Sequence, residues 1–403
     1  MATPLNHVSS NNVISSSAWN QAISDLEYIY SEYQTILNTI QQLQNINSQI
    51  TASNYQTEAT DACNAIQNLF NYLQSPTLLS SFPDYITNIP PAVTGGVLFA
   101  SMMNSLTYAV EKLYNSIMPK PAPQISTVAG GDIVTARHWN KIVDTINTLL
   151  NLFSPTIFAN RYTTINVNFP FIFLYLNESG VSVNTDGPIN TMFITGVTQQ
   201  TYLEYYFYGP NPITNLFLCA ETSEGASYNN MFIQNIYIYQ QNTYYYFLDN
   251  SVTQNVYAYN EDIYLVEENN AYVQNAYIYG AYAEIETYDN AIADNIYTYG
   301  YKSAVYVENS STVNNIYVYA DYGYLYVYDY ATVENIYVFG NEGIVEASSP
   351  AIVQNLYLCG GDNSIFPYNV INLYLCNSNN YISGGSPNII TDSSVCNQIC
   401  GSN

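Results

Sequence analysis

The phrases Asn235-Ile236-Tyr237-Ile238-Tyr239, Asn315-Ile316-Tyr317-Val318-Tyr319 and Asn335-Ile336-Tyr337-Val338-Phe339 are near-copies of one another, set at multiples of twenty residues. The file runs on in both directions, with Asn at 215, 235, 255, 275, 295, 315, 335 and 355. Two places after each Asn the residue is always aromatic: Phe217, Tyr237, Tyr257, Tyr277, Tyr297, Tyr317, Tyr337 and Tyr357. A fixed period of this length marks a solenoid, in which each repeat is one coil stacked on its neighbours. Twenty residues hold two or three short strands and their corners, and stacking brings like strands to about 4.8 Å. The reading is a single-chain parallel β-helix with 20-residue coils.

Strand side chains alternate between faces. The narrow aliphatic set (Ile236, Ile238, Val256, Ala258, Ile296, Ile316, Val318) is assigned to the coil interior. Two more inward files are Leu265, Ile285, Val305, Leu325, Val345, Ile365 and Ala271, Ala291, Ser311, Ala331, Ala351. The aromatic column from Tyr237 to Tyr357, and a second one through Tyr239, Tyr259, Tyr279, Tyr299 and Tyr319, then stand outside as vertical ladders. With Gln234, Gln254, Gln274 and Gln354 nearby, rings and amides together form a surface suited to sugars. The same ladders equally suit stiffening the solenoid or packing against a neighbouring subunit.

Fourteen residues past each Asn stand Asn229, Asp249, Asn269, Asp289, Asn309, Asp329, Ser349 and Asn369. Asn and Asp tolerate left-handed backbone and bond their own turns, so this column reads as a structural corner ladder. An Asn between successive Asp residues separates carboxylates that would otherwise repel. An Asp–Asn file also has the oxygen chemistry of a calcium site, but the expectation is no metal and no cofactor.

The chain has 403 residues, a net charge of −25, 44 Tyr and only 9% charged residues. Five of its six basic residues (Lys112, Lys120, Arg137, Lys141, Arg161) precede the solenoid, leaving Lys302 alone within it. Nucleic-acid binding needs cations to neutralise phosphate and is excluded as a function class. A surface carried by Tyr, Asn, Ser and Thr changes little as carboxylates protonate, which suits an extracellular protein in hot acid. The start of the chain lacks the basic flank and apolar run of a signal peptide. Pro91 to Val110 is uncharged but carries Thr94, Gly95, Ser101 and Asn104, so a buried helix is expected and not a membrane span.

Six cysteines show no Cys/His cluster at metal spacing. Cys359 and Cys376 hold equivalent places in successive coils, near enough for a disulfide. Cys396 and Cys400 are free to pair with each other or with Cys376, and buried free thiols are the alternative. Asn177 and Asn309 open glycosylation sequons.

A second repeat precedes the solenoid. Asn11 to Asn20 aligns with Gly131 to Asn140, and the two blocks hold the only tryptophans, Trp19 and Trp139. In each, an apolar pair leads to Ser15 or Thr135, a helix N-cap. Apolar residues then follow at helical spacing: Ile23, Leu26, Tyr30, Tyr33 after the first, and Val143, Ile146, Leu149, Phe153 after the second. The chain is thus read as α + β multidomain. Residues 1–155 form a helical assembly domain, 161–212 an irregular β cap, 213–376 the solenoid and 377–403 a closing cap.

The apolar-apolar-Ser/Thr-x-x-x-Trp-Asn phrase resembles one found in appendage and tail-fibre proteins of viruses, where it leads into a helical oligomerising shaft. The Tyr- and Asn-rich solenoid with almost no Lys or Arg resembles structural proteins of viruses infecting thermoacidophilic archaea. The resemblance implies a spike or fibre component of a virion. Its helical part would dock to the particle through Trp19, Asn20, Trp139 and Asn140, and its β-helical part would attach to host-surface glycans. Partners would be other virion subunits, with homo-oligomerisation expected. An archaeal adhesin or extracellular filament subunit is the alternative, and a polysaccharide-degrading β-helix enzyme the third reading. Such an enzyme needs clustered carboxylates. Glu267, Glu268, Glu284, Glu286, Glu308, Glu342 and Glu346 show no recurrent convergence, and His7 and His138 lie outside the solenoid. No catalytic residue is therefore expected.

Overall fold

The structure, a computed structural model, describes residues 4–9, 13–74, 78–94, 97–118, 121–130, 134–153, 156–159, 164–167, 170–176, 179–196, 203–220, 222–377, 379–391 and 393–400. Two compact units divide the chain. The first comprises Met1–Gln44, Ala65–Thr156 and Phe169–Phe173, the second Asn45–Asn64, Ile157–Asn168 and Leu174–Asn403. The helices preceding the sheets are α1 (Ser16–Gln49), α2 (Tyr55–Gln74), the one-turn α3 (Asp84–Thr87), α4 (Ala100–Ile117) and α5 (Ala136–Phe153). Among the described residues no helix is long and apolar enough to cross a membrane. The uncharged stretch around α4 instead buries Met103, Leu106, Ala109, Val110 and Leu113.

The first unit is built on a threefold internal repeat, one copy more than the two tryptophan blocks. Helices α1, α4 and α5 each carry an Asn at their fifth residue: Asn20, Asn104 and Asn140. Each Asn follows a buried large side chain, Trp19, Met103 or Trp139. Each also grips both backbone polar groups of one residue in a connecting segment. Asn20 accepts from the Ala92 amide at 2.8 Å and donates to its carbonyl at 3.1 Å. Asn104 holds Val128 in the same way, both bonds at 2.9 Å. Asn140 holds Val8 at 2.8 and 3.1 Å. The relation is cyclic: α1 holds the segment leading into α4, α4 the segment leading into α5, and α5 the segment leading into α1. Two turns along, Asn147 grips Leu5 at 2.9 and 3.0 Å, and Glu111 accepts from the Ile125 amide at 3.2 Å. Each of these two segments therefore runs opposite to the helix that holds it. Backbone groups without a sheet or helix partner are satisfied by the side-chain amide, as buried polar groups require.

The second unit is the parallel β-solenoid expected. Its strands alternate between a 13-stranded and a 12-stranded sheet. Like residues pair across coils: Asn255 with both Asn235 and Asn275, and Tyr257 with Tyr237 and Tyr277. Ile236, Ile238, Val256, Ala258 and Ile296 are all fully buried, as are Ala271, Ala291, Ser311, Ala331 and Ala351, so the inward assignments hold. Gly300 is required by the close stacking, since a Cβ there would lie 1.9 Å from the carbonyl oxygen of Gly280 in the adjacent coil.

The domain boundaries differ from the sequence reading. Described strands within 161–212 are not a separate cap but coils of the same two sheets, in parallel register with the rest. Their coils have other lengths, as in Ile189 with Ile213 and Ile165 with Val183, because the extra or missing residues fall between strands and leave the register intact. At the far end Asn372 pairs with Asn388, so the region after 376 adds a further partial coil before the helix α6 (Ser393–Cys400). Residues 45–64, assigned to the helical domain from sequence, belong with the solenoid.

Three disulfides link Cys63 to Cys219, Cys359 to Cys400 and Cys376 to Cys396. The Cys359–Cys376 pairing allowed by the sequence is not formed. Each of these coil cysteines is taken instead by one of two cysteines a turn apart on α6.

Candidate functional site

The corner column has the backbone expected of it. Asn229, Asp249, Asn269, Asp289, Asn309 and Asp329 have φ between 52° and 61°, the left-handed region, whereas Ser349 and Asn369 at the end of the column do not. Asn309 donates to the Asp289 carboxylate at 3.1 Å, so the nitrogen that a sequon would modify is already engaged in the corner. Asn177 lies outside the described residues. A second left-handed column was not visible in the sequence: Asn242, Asp262, Tyr282, Lys302, Tyr322, Glu342 and Asp362. Tyr, Lys and Glu pay a steric penalty there. They are held because their amides donate to the next coil, Lys302 to the Asp321 carbonyl at 3.1 Å and Tyr322 to that of Asn341 at 2.8 Å.

The Asn file that reveals the fold is a hydrogen-bonded ladder. Each side-chain nitrogen donates to the side-chain oxygen of the preceding Asn, from Asn235 to Asn215 at 3.1 Å through Asn355 to Asn335 at 3.0 Å. Asn372 and Asn388 continue it across the shortened coils, at 3.0 and 3.2 Å.

The tyrosine ladders are real, but they are not open aromatic platforms. Tyr277, Tyr297, Tyr317, Tyr337 and Tyr357 stack ring on ring with centroids 4.7 to 4.8 Å apart and planes within 7°. Their faces are thus occupied by one another, leaving edges and hydroxyls to the outside. Burial and neighbouring phenols push the Tyr237 and Tyr317 hydroxyls up to about 12, so they stay neutral. The second column departs from expectation at its start. Tyr239 and Tyr259 are buried, whereas Tyr279, Tyr299 and Tyr319 are partly exposed. Residues 45–64 lie against this face: the Tyr239 hydroxyl donates to Asn47 at 2.7 Å, Gln56 donates to Glu261 at 2.6 Å, and Cys63 is bonded to Cys219.

The four residues expected to dock a partner are used inside the first unit. Trp19 and Trp139 are fully buried and stacked, with centroids 6.2 Å apart, and the Trp19 indole donates to the Pro90 carbonyl at 2.9 Å. Asn20 and Asn140 are engaged by Ala92 and Val8. Among the large hydrophobics that this unit exposes are Val13 (89%), Val93 and Val97 (75% each) and Phe99 (64%). Val13 and Val97 occupy equivalent places in the threefold repeat, seven residues before Asn20 and Asn104.

The sheet opposite the Asn ladder carries the cleft best suited to a ligand. Its outward columns run Tyr244, Tyr264, Glu284, Ala304 and Tyr246, Val266, Glu286, Tyr306. Short Val266 interrupts the aromatic file and leaves a hollow of about 450 Å³, walled by Tyr244, Tyr264 and Tyr288 and by Glu268, Glu284, Glu286 and Asp289. Of the glutamates that showed no convergence in sequence, Glu268, Glu284 and Glu286 are thus brought together, because stacking sets residues of neighbouring coils side by side. Burial raises the carboxyls of Glu268 and Glu284, reinforced at Glu268 by Asp289 and Glu286, and at Glu284 by Glu286. Tyr288 donates to Glu286 at 3.0 Å. Glu267 points the other way, fully buried in the coil, with its carboxyl pushed well above the usual range by burial. Glu308 is raised by burial and by Glu286 and Asp329. Tyrosine hydroxyls that donate and carboxyl oxygens that accept stand side by side here, the chemistry of polyhydroxyl recognition.

Comparison with known proteins finds a sequence relative in a virus of Sulfolobus. The chain is 28% identical over 246 residues to Uncharacterized protein 417 of Sulfolobus islandicus rod-shaped virus 1, a match covering 59% of this chain and 54% of that protein. The chain therefore spans about half the length of the curated relative it matches. No family model matches, and no solved structure matches. A β-solenoid with a relative in a virus of this kind agrees with the resemblance read from the sequence.

Proposed function

We propose that this chain is a non-enzymatic structural protein of a virus particle, a spike or fibre component that attaches to hydroxyl-rich glycans on the host surface. The observation that carries the attachment reading is the cleft on the second sheet. There, Tyr264 and Tyr288 stand beside raised carboxyls in a hollow large enough for one or two sugar rings. The viral relative supports the particle assignment, and the hydrogen-bonded Asn file supports a stiff, durable element. In this reading the first unit joins other virion subunits through the exposed Val13, Val97 and Phe99, its tryptophans serving its own fold.

Two measurements test it. Mass spectrometry of purified particles against host envelopes should find the chain in the particles; recovery in envelopes alone would favour an adhesin. A glycan array with the full chain should show binding that Tyr264→Ala and Glu284→Gln weaken and Tyr317→Phe leaves intact. Binding lost only on changing the stacked ladder would move the site to that face.

A further inference from the structure

We propose that Cys359, Cys376, Cys396 and Cys400 form a four-thiolate zinc site whenever their two disulfides are reduced. The placement follows from the fold. Leu358 pairs with Leu375, so the residues after them, Cys359 and Cys376, leave adjacent coils side by side. On α6, Cys396 and Cys400 are four residues apart and share one helix face. The sulfurs of Cys359, Cys376 and Cys400 lie within 4.8 Å of one another, and that of Cys396 is bonded to Cys376. Zinc bound tetrahedrally by thiolates at about 2.3 Å places its sulfurs about 3.8 Å apart. The reduced cluster therefore reaches that geometry through side-chain rotation, with the coils and the helix left in place. Two ligands from a sheet corner and two from one helical turn also fix the metal from two elements, as a structural site requires.

The chemistry balances with two reagents. A dithiol reductant gives two electrons and two protons to each disulfide, itself becoming oxidised, and four thiols result. Zinc then displaces four protons to solvent as four Zn–S bonds form. The metal holds α6 against the last coils in a reducing compartment, and the disulfides hold it after oxidation. Cys63 and Cys219, joined seven coils away along the solenoid, take no part.

The test uses the full chain purified with and without a phosphine reductant, exposed to zinc sulfate and desalted. Elemental analysis should find one zinc per chain in the reduced protein and none in the oxidised one. Zinc should slow alkylation of Cys359, Cys376, Cys396 and Cys400 and leave the alkylation of Cys63 and Cys219 unchanged. Cys396→Ser should lose the metal, whereas the double variant Cys63→Ser, Cys219→Ser should retain it. A reduced chain that keeps its β circular-dichroism signal yet retains no zinc overturns the proposal, as does zinc retained by Cys396→Ser. Should Cys396→Ser not fold, the zinc-dependent alkylation pattern of the unaltered chain decides.

Discussion

Asn140 holds Val8 by both its amide and its carbonyl, the bonds measuring 2.8 and 3.1 Å, although the two residues belong to opposite ends of the first unit's sequence. Asn20 with Ala92 and Asn104 with Val128 repeat the arrangement. Replacing Asn140 or Asn104 by Ala removes two hydrogen bonds and strands two backbone groups, a loss of roughly 2–3 kcal/mol. Chemical denaturation of the single variants should show similar losses at the two sites. Inequality beyond about twofold would mean that the two positions are not energetically equivalent.

The Asn ladder gives a pH-dependent prediction. Asn295 donates to Asn275 and accepts from Asn315. In Asn295→Asp a protonated carboxyl still donates, but an ionised one sets oxygen against the Asn275 oxygen. The folded-state pKa of the new acid is therefore raised. The variant should match the parent below about pH 4 and lose stability as pH rises through that raised value. Thermal melts at pH 3 and pH 7 check this; equal losses at both would mean the ladder bond contributes nothing.

Two buried acids on α1 should make the first unit most stable in acid. Burial raises Asp25 to about 6 and Glu32 to about 7, from 3.8 and 4.5, while hydrogen bonds from Gln21 and Tyr28 oppose it. Below about pH 4 these groups are protonated whether folded or not and no penalty exists. As pH rises toward 7 the unfolded state gains by ionising first, a cost on the order of 2–3 kcal/mol per group. Glu32→Gln should raise the melting temperature at pH 7 and flatten the profile between pH 4 and 7. An unchanged profile would show that Glu32 does not titrate in this range.

Tyr322 tests the second left-handed column, with φ at 55°. Tyr322→Gly should be neutral or stabilising by up to about 1 kcal/mol, whereas Tyr322→Val should cost more than that. Denaturant midpoints of the two variants give the comparison. A less stable Gly variant would assign the site's energy to the tyrosine ring.

The solenoid was legible because stacked coils make every structural column a column in the sequence, so Asn235 and Asn315 announce themselves. Other features had no such signal. The Asn104 copy of the helix-start phrase escaped notice because Met103 stands where the other two carry Trp. The burial of Tyr239 and Tyr259 depends on residues 45–64, which no periodicity links to the solenoid. The left-handed column at Tyr282, Lys302 and Tyr322 is occupied by residues that do not favour that backbone, so its cause lies in the neighbouring coil. The carboxylates at Glu268, Glu284 and Glu286 looked scattered only until the second sheet laid their columns together.

Every rung of the Asn file faces the same way, nitrogen toward the earlier coil and oxygen toward the later one. The row is therefore a directional wire of amide dipoles with unlike terminals, a spare donor at Asn215 and a spare acceptor at Asn388. Its donor end lies inside the sheet, because Thr191 of the preceding coil pairs with Asn215. The amide dipoles of the file therefore add along the solenoid axis and do not cancel.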